Sequence, residues 1–437
     1  MKTYLGVFTC CVLSLAWSVK GQNTTEISID EVLLKVNQNN HTLKISKENF
    51  NEALADYRQT NAVFLPNITV SHTGLATTNP LMAFGSKLNQ GILTTSDFDP
   101  NLLNNPEQTQ NFATLIEVKQ PLLNIDGFYQ RKAAKSTMEA MSLQTERTSD
   151  YLNFEVRKAY MQLQLAYKGV AVLEKAMKAA QANQSLANHS FKQGYMQRAD
   201  VLAVEVRVIE VTNQLQMAKS HVNNASNYLS FLMNDEASLI LKPSDELVLN
   251  TLQMRIIETV PEERADIKAM AMASQAYKTQ HTSDNLSFLP TLNAFGSYEL
   301  YDENIFQGGA SGYVVGAQLS WTVLDGTKRF GKAKKSKAAY EKAKLEYDQY
   351  VSKSQLELNK ARRMLRDADN NIKLSKLAME QSEESLRIRT NRFEEGLEKM
   401  SDLLLAETQF AQKELAYYQA IYEYNYAQAY LEYLTKE

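Results

Sequence analysis

The sequence predicts a mainly α protein with a small β part, built from a duplicated unit of long coiled-coil helices plus a two-stranded β-hairpin. The 437 residues include 8 prolines, and none lies between Pro121 and Pro243 or after Pro290. Since a proline inside a helix costs about 3 kcal/mol, these stretches predict very long helices. Motifs also recur in the same order in both halves, and a seven-residue apolar period runs through each half.

The N-terminus has the pattern of a cleaved export signal. A lysine at the second position precedes apolar residues 4–17, a segment too short to span a bilayer, and cleavage after Gly21 would leave Gln22 as the mature start. A buried N-terminal helix is the alternative. Cys10 and Cys11 both lie in this segment, so the exported chain is expected to contain no cysteine for disulfides or thiolate metal sites.

Three motifs recur in the same order. Phe-Leu-Pro stands at 64–66 and 288–290, and Asp-Gly at 126–127 and 325–326. Phe-x-x-Gly follows, ending at Gly194 and at Gly396, and each copy is followed by the same three residue types: Asp200, Leu202 and Glu205 in the first half, Asp402, Leu404 and Glu407 in the second. Three motifs repeated in the same order indicate a duplicated unit, with an insertion of about 25 residues in the first half.

This duplication divides the chain as follows. Residues 1–21 are the signal peptide, and 236–257 are a linker or equatorial segment. The first repeat, 22–235, is expected to hold a helix, a strand pair at 63–121 with a long external loop at 76–110, and a helical hairpin at 122–235. The second repeat, 258–437, is expected to hold a helix, a strand pair at 288–321 and a helical hairpin at 322–437.

Apolar residues in the hairpins step by four and three without a break, which predicts supercoiled helices. Helices of about 65 residues would be about 100 Å long at 1.5 Å per residue. The apolar positions are Leu152, Val156, Ala159, Leu163, Ala166, Val170, Leu173, Met177 and Ala180; then Val201, Val204, Val208, Val211, Leu215, Ala218, Val222, Ala225, Leu229 and Leu232; then Leu358, Ala361, Leu365, Ala368, Ile372, Ser375, Met379, Ser382 and Leu386.

Between the helices, residues 291–300 and 313–321 alternate in polarity, and 68–71 and 112–120 do so more weakly. Strands of about 9–11 residues with this period suit a membrane barrel, and a soluble antiparallel cap is the alternative. In lipid, four strands per chain would leave unpaired edges, so other copies must complete the barrel, and three copies would supply twelve strands.

With these features the chain resembles the TolC-like outer membrane efflux proteins over nearly the whole mature sequence. The resemblance rests on the order and duplication of the motifs above, on the opening segment 27–33, on its counterpart Arg264-Ala265-Asp266-Ile267, and on an insertion that looks like the family's longer first external loop.

The resemblance implies a homotrimer, with a twelve-stranded outer membrane barrel continuing into a twelve-helix periplasmic tunnel. It implies a passive conduit from periplasm to exterior, coupled through a periplasmic adaptor to an inner-membrane transporter. The tips at Gly194 and Gly396, with Asp200 near the first, would dock the adaptor and form the closed entrance.

For the entrance, the resemblance aligns Asp402 with an aspartate that constricts the pore and can bind cations. A helix cap is the competing role for Asp402, and Asp200 at the matching position supports it. The family's second entrance aspartate is Leu405 here, and its tyrosine and arginine gate positions carry Phe393 and Glu398. These departures argue against the family's hydrogen-bond network at this entrance, while a closed tip is still expected.

No catalytic motif is present, no cofactor is expected, and the histidines at 41, 72, 189, 221 and 281 lack metal-ligand spacing. A net charge of −3 gives no reason to expect nucleic-acid binding. The basic run 328–337 fits either lipid head groups or a solvated helix face. Seven tyrosines between 417 and 433 fit packing beneath the barrel or an interfacial girdle.

Two other classes share part of this pattern. A periplasmic adaptor carries one helical hairpin per chain rather than two units with strand pairs, and a coiled-coil stalk explains the heptads but not the strands. The sequence does not specify the substrate, which a drug, a metal, a bile salt or a polypeptide could equally be.

Overall fold

The computed structural model describes residues 24–235, 239–250 and 258–436. The predicted signal segment, with Cys10, Cys11 and the expected mature start at Gln22, lies outside the described residues. So does part of the predicted linker at 236–257.

The described elements follow one another twice in a similar order. The first half holds β1 (Thr24–Ile27), α1 (Ile29–Asn39), α2 (His41–Gln59), β2 (Asn67–Thr77), α3 (Pro80–Gln90), α4 (Pro100–Asn104), β3 (Thr109–Leu123), α5 (Ile125–Lys192), α6 (Arg198–Met233) and β4 (Ile240–Pro243). The second half holds α7 (Ala265–Leu286), β5 (Thr291–Asp302), β6 (Ala310–Ser320), α8 (Lys328–Glu394) and α9 (Met400–Thr435). The predicted fold class, mainly α with a small β part, is confirmed.

The structure contains the long helices that the seven-residue apolar period predicts. Helix α5 has 68 residues and α8 has 67, or about 100 Å of helix axis each. Every predicted seam position on these helices and on α6 is buried or half-buried, and Val156, Leu163, Val204 and Leu358 are fully buried. Alanine and valine recur along these seams, and their small side chains allow close helix approach.

The described residues form two compact units. The first takes in the described parts of Met1–His41, Tyr151–Ile256 and Lys360–Tyr433, and the second those of Thr42–Asp150, Ile257–Asn359 and Leu434–Glu437. The first unit holds the parallel pair β1–β4 and both hairpin ends of the long helices. Its tyrosines form a stacked row, with Tyr422, Tyr426, Tyr430 and Tyr433 about one helical turn apart.

The second unit holds an antiparallel sheet in the order β2-β3-β5-β6, which leaves β2 and β6 at its edges. The register places the apolar members of the alternation on one face: Ile68, Val70, Ile116, Val118, Leu292, Tyr298, Tyr313, Val315 and Leu319. The opposite face carries mainly polar side chains: Thr69, Ser71, Glu117, Lys119, Ser297, Glu299 and Gln318. The strands run 11 to 15 residues, longer in the first half than its weak alternation predicted.

The long insertion between β2 and β3 was expected as an external loop and contains helical structure. Asn79 caps α3 by accepting a hydrogen bond from the Met82 amide (3.2 Å), and Gly91 ends the helix at φ +69°. Proline in the first turn suits such a start, because the missing N–H would have no helical partner there.

The basic run forms the first turns of α8. Arg329 donates to the Thr322 carbonyl (2.5 Å), and Lys332 pairs with the buried Asp284 (3.0 Å). Lys334, Lys335 and Lys337 are exposed. No helix in the described parts of the chain combines the length and the apolar composition needed to cross a membrane.

Candidate functional site at the helical hairpin tips

Both hairpin tips of the first unit close with the same backbone motif. Gly194 has φ +81°, its amide donates to the Phe191 carbonyl, and the Tyr195 amide donates to the Ser190 carbonyl (2.9 Å). At the second tip Gly396 has φ +74°, with the corresponding bonds to Phe393 and from Leu397 to Arg392. This pair of bonds is a Schellman motif, which needs a left-handed residue and so favours glycine.

The two tips share one apolar cluster, here named the tip cluster. Its buried members are Ala187, Val201, Val204, Met400, Leu403 and Leu404, with Met196, Leu386 and Phe393 packed against it. Phe393 therefore acts in packing, because its phenyl ring carries no hydroxyl and lies half-buried against this cluster. Tyr195, Leu397 and Leu405 are largely exposed beside it.

Glu398 holds the second tip by two ion pairs. Its side chain is 12% exposed and accepts hydrogen bonds from Arg389 Nη1 (2.7 Å) and Arg392 Nε (2.8 Å). Arg392 Nη2 also donates to the Leu397 carbonyl inside the turn (3.2 Å). The hydrogen bond from Arg392, together with the charge of Arg389, lowers the pKa of Glu398. The turn is thereby fastened to the end of α8.

Asp200 and Asp402 occupy equivalent places, the third residues of α6 and α9. Each backbone amide donates to the residue before the helix, Gln197 or Lys399, at 3.1 Å. Within the part of the chain that the structure describes, neither carboxylate accepts a hydrogen bond, although both stand where the helix dipole favours an anion. Asp402 is half-buried and Leu405, almost one turn further, is 54% exposed.

A partly buried hydrogen bond joins α5 and α9 near the tips, and the sequence did not predict it. Asn183 Nδ2 on α5 donates to Glu407 Oε1 on α9 at 2.8 Å. Burial raises the pKa of Glu407, and the Asn183 hydrogen bond and the charge of Arg207 on α6 partly offset this. The repeat of Glu205 as Glu407 was visible in the sequence, but its partners come from two other helices.

The described tips thus consist of backbone turns, an apolar cluster and paired charges, a set of groups suited to contact with a partner rather than to catalysis. Among the described residues, no group of three or more histidine, cysteine, aspartate or glutamate side chains could hold a metal ion.

Comparison with known proteins places this architecture among membrane channels. The family profile described as "Outer membrane efflux protein" matches residues 32–235 and 256–435. The comparison with curated protein sequences returns no match.

Among solved structures, a membrane protein from Pseudomonas aeruginosa is 18% identical, with 93% of each chain covered and a TM-score of 0.81. The CmeC outer membrane channel of Campylobacter jejuni is 15% identical over 99% of this chain and 94% of that one, also with a TM-score of 0.81. The open state of the MtrE outer membrane channel of Neisseria gonorrhoeae is 15% identical over 93% and 88%, with a TM-score of 0.77.

Proposed function

Because the chain belongs to the outer membrane efflux protein family, we propose that it is the outer membrane channel of a tripartite efflux or secretion system. Three copies form a passive conduit from the periplasm to the exterior. A periplasmic adaptor binds the hairpin tips and links the conduit to an inner-membrane transporter. Outer membrane lipids surround the barrel, and the helices extend into the periplasm.

The two-faced sheet carries this proposal. Its strands are long enough for a tilted membrane strand, one face is apolar and the other is polar, as a water-filled barrel requires. Strands β2 and β6 are edges in the described sheet, and an unpaired edge in lipid costs several kcal/mol for each polar group. Pairing β6 of one copy with β2 of the next removes both edges, and three copies give twelve strands.

Two features of the tips support their proposed roles as channel entrance and adaptor-docking site: the length of the helices that lead to them and their exposed apolar side chains. The helix α5 separates β3 from the Gly194 turn by 68 helical residues, and α8 separates β6 from the Gly396 turn by 67. Exposed apolar side chains at Tyr195 and Leu397 flank the two turns and provide contact area for a partner's helical hairpin.

Membrane fractionation and mass measurement test this function. We expect the protein to stay with the outer membrane after a salt wash, to purify in detergent with the mass of three chains, and to give discrete conductance steps in planar bilayers. A monomer that keeps its strands in lipid, or a protein released by salt, would contradict it. The second result would favour the alternative class, a periplasmic coiled-coil or adaptor protein without a pore.

Asp402→Ala is expected to weaken block of the channel by divalent cations without lowering thermal stability. In a trimer three Asp402 carboxylates surround one axis, and a carboxylate ring attracts cations. Since this carboxylate caps no backbone amide in the described structure, its loss costs the helix little. Single-channel recording with added divalent cations measures the block, and Asp200→Ala is the matched control. Unchanged block with a lower melting temperature would assign Asp402 to helix capping.

A further inference from the structure

Helix α3, in the insertion between β2 and β3, packs on the polar face of the sheet. Thr109 and Asn111 at the start of β3 are buried, whereas Gln110 between them points the other way and is exposed. Gln90 at the end of α3 fixes this position: its Nε2 lies 2.8 Å from the Gln110 carbonyl, 2.9 Å from Asn111 Oδ1 and 3.2 Å from the Asp302 carbonyl. These contacts join α3 to two strands at once.

The helix is also held along the insertion. Lys87 pairs with Asp97 at 2.8 Å, and Asp97 in turn accepts a hydrogen bond from the Thr94 amide (2.7 Å). The Lys87 hydrogen bond, reinforced by Thr94, lowers the pKa of Asp97 to about 2, so Asp97 is ionised at neutral pH. With its caps at Asn79 and Gly91, α3 is a fixed part of the second unit.

The two faces of α3 differ sharply. Ala83, Ser86 and Gln90 face the strands and are buried. The opposite face carries the outer stripe, defined here as Leu81 and Leu88 with Ile92 just beyond the helix; these side chains are 81%, 58% and 44% exposed. Gly85 lies within this stripe, and a Cβ added there would meet nothing within 4 Å in the same chain. An interior glycine weakens a helix relative to alanine, and here the missing side chain permits close approach of another surface.

We propose that the outer stripe contacts the same stripe of the two other copies and closes the outer mouth of the channel with an apolar constriction. This inference depends on the proposed trimer. In that barrel the polar face lines the lumen, so a helix on the polar face lies inside the barrel and turns its free face toward the axis. The insertion joins β2 to β3 at the sheet end opposite the starts of α5 and α8, which is the outer end.

The occupant is a second copy because, in the proposed trimer, threefold symmetry places the outer stripes of the other two copies across the axis from each stripe. An apolar stripe exposed to a water-filled lumen is unfavourable, and contact with the same stripes of the other copies removes its apolar area from water. Apolar constrictions block ions by excluding water, so the contact would make a gate distinct from the hairpin tips.

Labelling of intact cells tests this gate independently of the tips. Ser297 on the polar face of β5 is changed to cysteine and exposed to a maleimide-polyethylene glycol too large for general porins. We expect slow labelling of Ser297→Cys, a severalfold faster rate when Leu88→Asp is added, and no acceleration from Ile305→Asp, an exposed apolar residue of the β5–β6 loop outside the stripe. Equal labelling rates with and without Leu88→Asp would overturn the gate.

Two further cysteine variants distinguish failure of the proposed gate from failure of the proposed outer membrane function. Leu88→Cys is expected to form covalent dimers within the trimer under a mild oxidant, since bridged Cα atoms must lie within about 7 Å, and Ile305→Cys is not. Absence of that cross-link in an intact trimer would also overturn the gate. Phe98→Cys, in the exposed part of the insertion, should be labelled rapidly on cells. Failure of this last labelling would instead contradict the proposed outer membrane function.

Discussion

We expect Asp266→Ala to lower the free energy of unfolding by about 3–5 kcal/mol, the cost of removing one partner from a buried ion pair. The Asp266 side chain is 6% exposed and lies between two buried arginines. Arg264 Nε and Nη2 donate to its two oxygens at 2.6 and 3.0 Å, and Arg147 Nε lies 3.3 Å from Oδ2. Without the carboxylate, the buried Arg264 guanidinium keeps only the neutral acceptors Ser354 and Leu434, and Arg147 loses its contact with Asp266.

The same group ties four helices of the second unit together. Arg264 precedes α7, and its other donors bond to Ser354 Oγ on α8 (2.8 Å) and the Leu434 carbonyl on α9 (2.9 Å). Tyr350 on α8 donates to Asp266 Oδ2 at 2.6 Å, and Arg147 belongs to α5. Loss of Asp266 therefore loosens α5, α7, α8 and α9 at one point, and trimer assembly is expected to fail with it.

The pH dependence has a defined sign. Burial alone would raise the pKa of Asp266, but hydrogen bonds from Arg264 and Tyr350 and the charge of Arg147 outweigh it, so the pKa is lowered from its ordinary value of 3.8. The stabilisation is therefore complete above pH 3.8 and is lost as the pH falls through the lower folded-state value.

Thermal unfolding followed by circular dichroism measures the effect. Glu346→Ala is the matched control, because Glu346 pairs with Lys342 on the exposed side of α8 at 3.5 Å, and exposed pairs contribute about 0–1 kcal/mol. If Asp266→Ala unfolds at the temperature of the Glu346→Ala protein, the buried cluster does not stabilise the fold.

The sequence predicted the order of the helices and strands better than it predicted the side-chain contacts between them. Proline spacing, the heptad period and the duplicated motifs predict the helices and strands, because each is a pattern along the chain that is visible without knowing which segments are in contact. The Asp266 cluster was not predicted because Arg147 on α5, Arg264 just before α7 and Tyr350 on α8 come from distant parts of the chain, and no local period marks them. In the sequence, Arg264-Ala265-Asp266-Ile267 could be interpreted only as a repeat of the opening segment 27–33.

The second tip shows the same limit at shorter range. Phe393, Glu398 and Leu405 could be marked as departures from the family pattern, but the replacement network could not be read from them. Its partners are Arg389 and Arg392, three residues apart on the last turns of α8, and only the left-handed turn at Gly396 brings Glu398 back to them. Likewise the insertion was expected as a loop, although Asn79-Pro80 and Gly91 are helix start and stop signals.

Glu398→Ala is expected to raise the open probability of the channel severalfold. The change removes both ion pairs that fasten the Gly396 turn to α8, and the freed Arg389 and Arg392 then repel each other. If the tips form the closed entrance, as proposed, a loosened turn favours the open arrangement. Glu395→Ala is the control, because the Glu395 side chain lies in the same turn, is exposed and has no partner among the described residues.

Acid should have the same effect on the unmodified protein. Since the pKa of Glu398 is lowered from 4.5, its pairs are intact above pH 4.5 and are lost as the pH falls through the lower folded-state value. Glu398→Gln can still accept hydrogen bonds but carries no charge at any pH, so its opening is expected to lose this acid dependence.

If the proposed entrance and the proposed outer gate are two constrictions of one conduit, they restrict the current in series, and conductance has to be measured with both altered. Opening one constriction leaves the other to limit the current, so Glu398→Ala alone and Leu88→Asp alone should each raise the mean current less than the two together. We therefore expect the largest increase in the double variant, beyond the sum of the single increases. If Glu398→Ala adds nothing in the Leu88→Asp background while Leu88→Asp itself speeds lumen labelling, Glu398 does not hold the entrance closed, and the restriction at the tips must come from other residues.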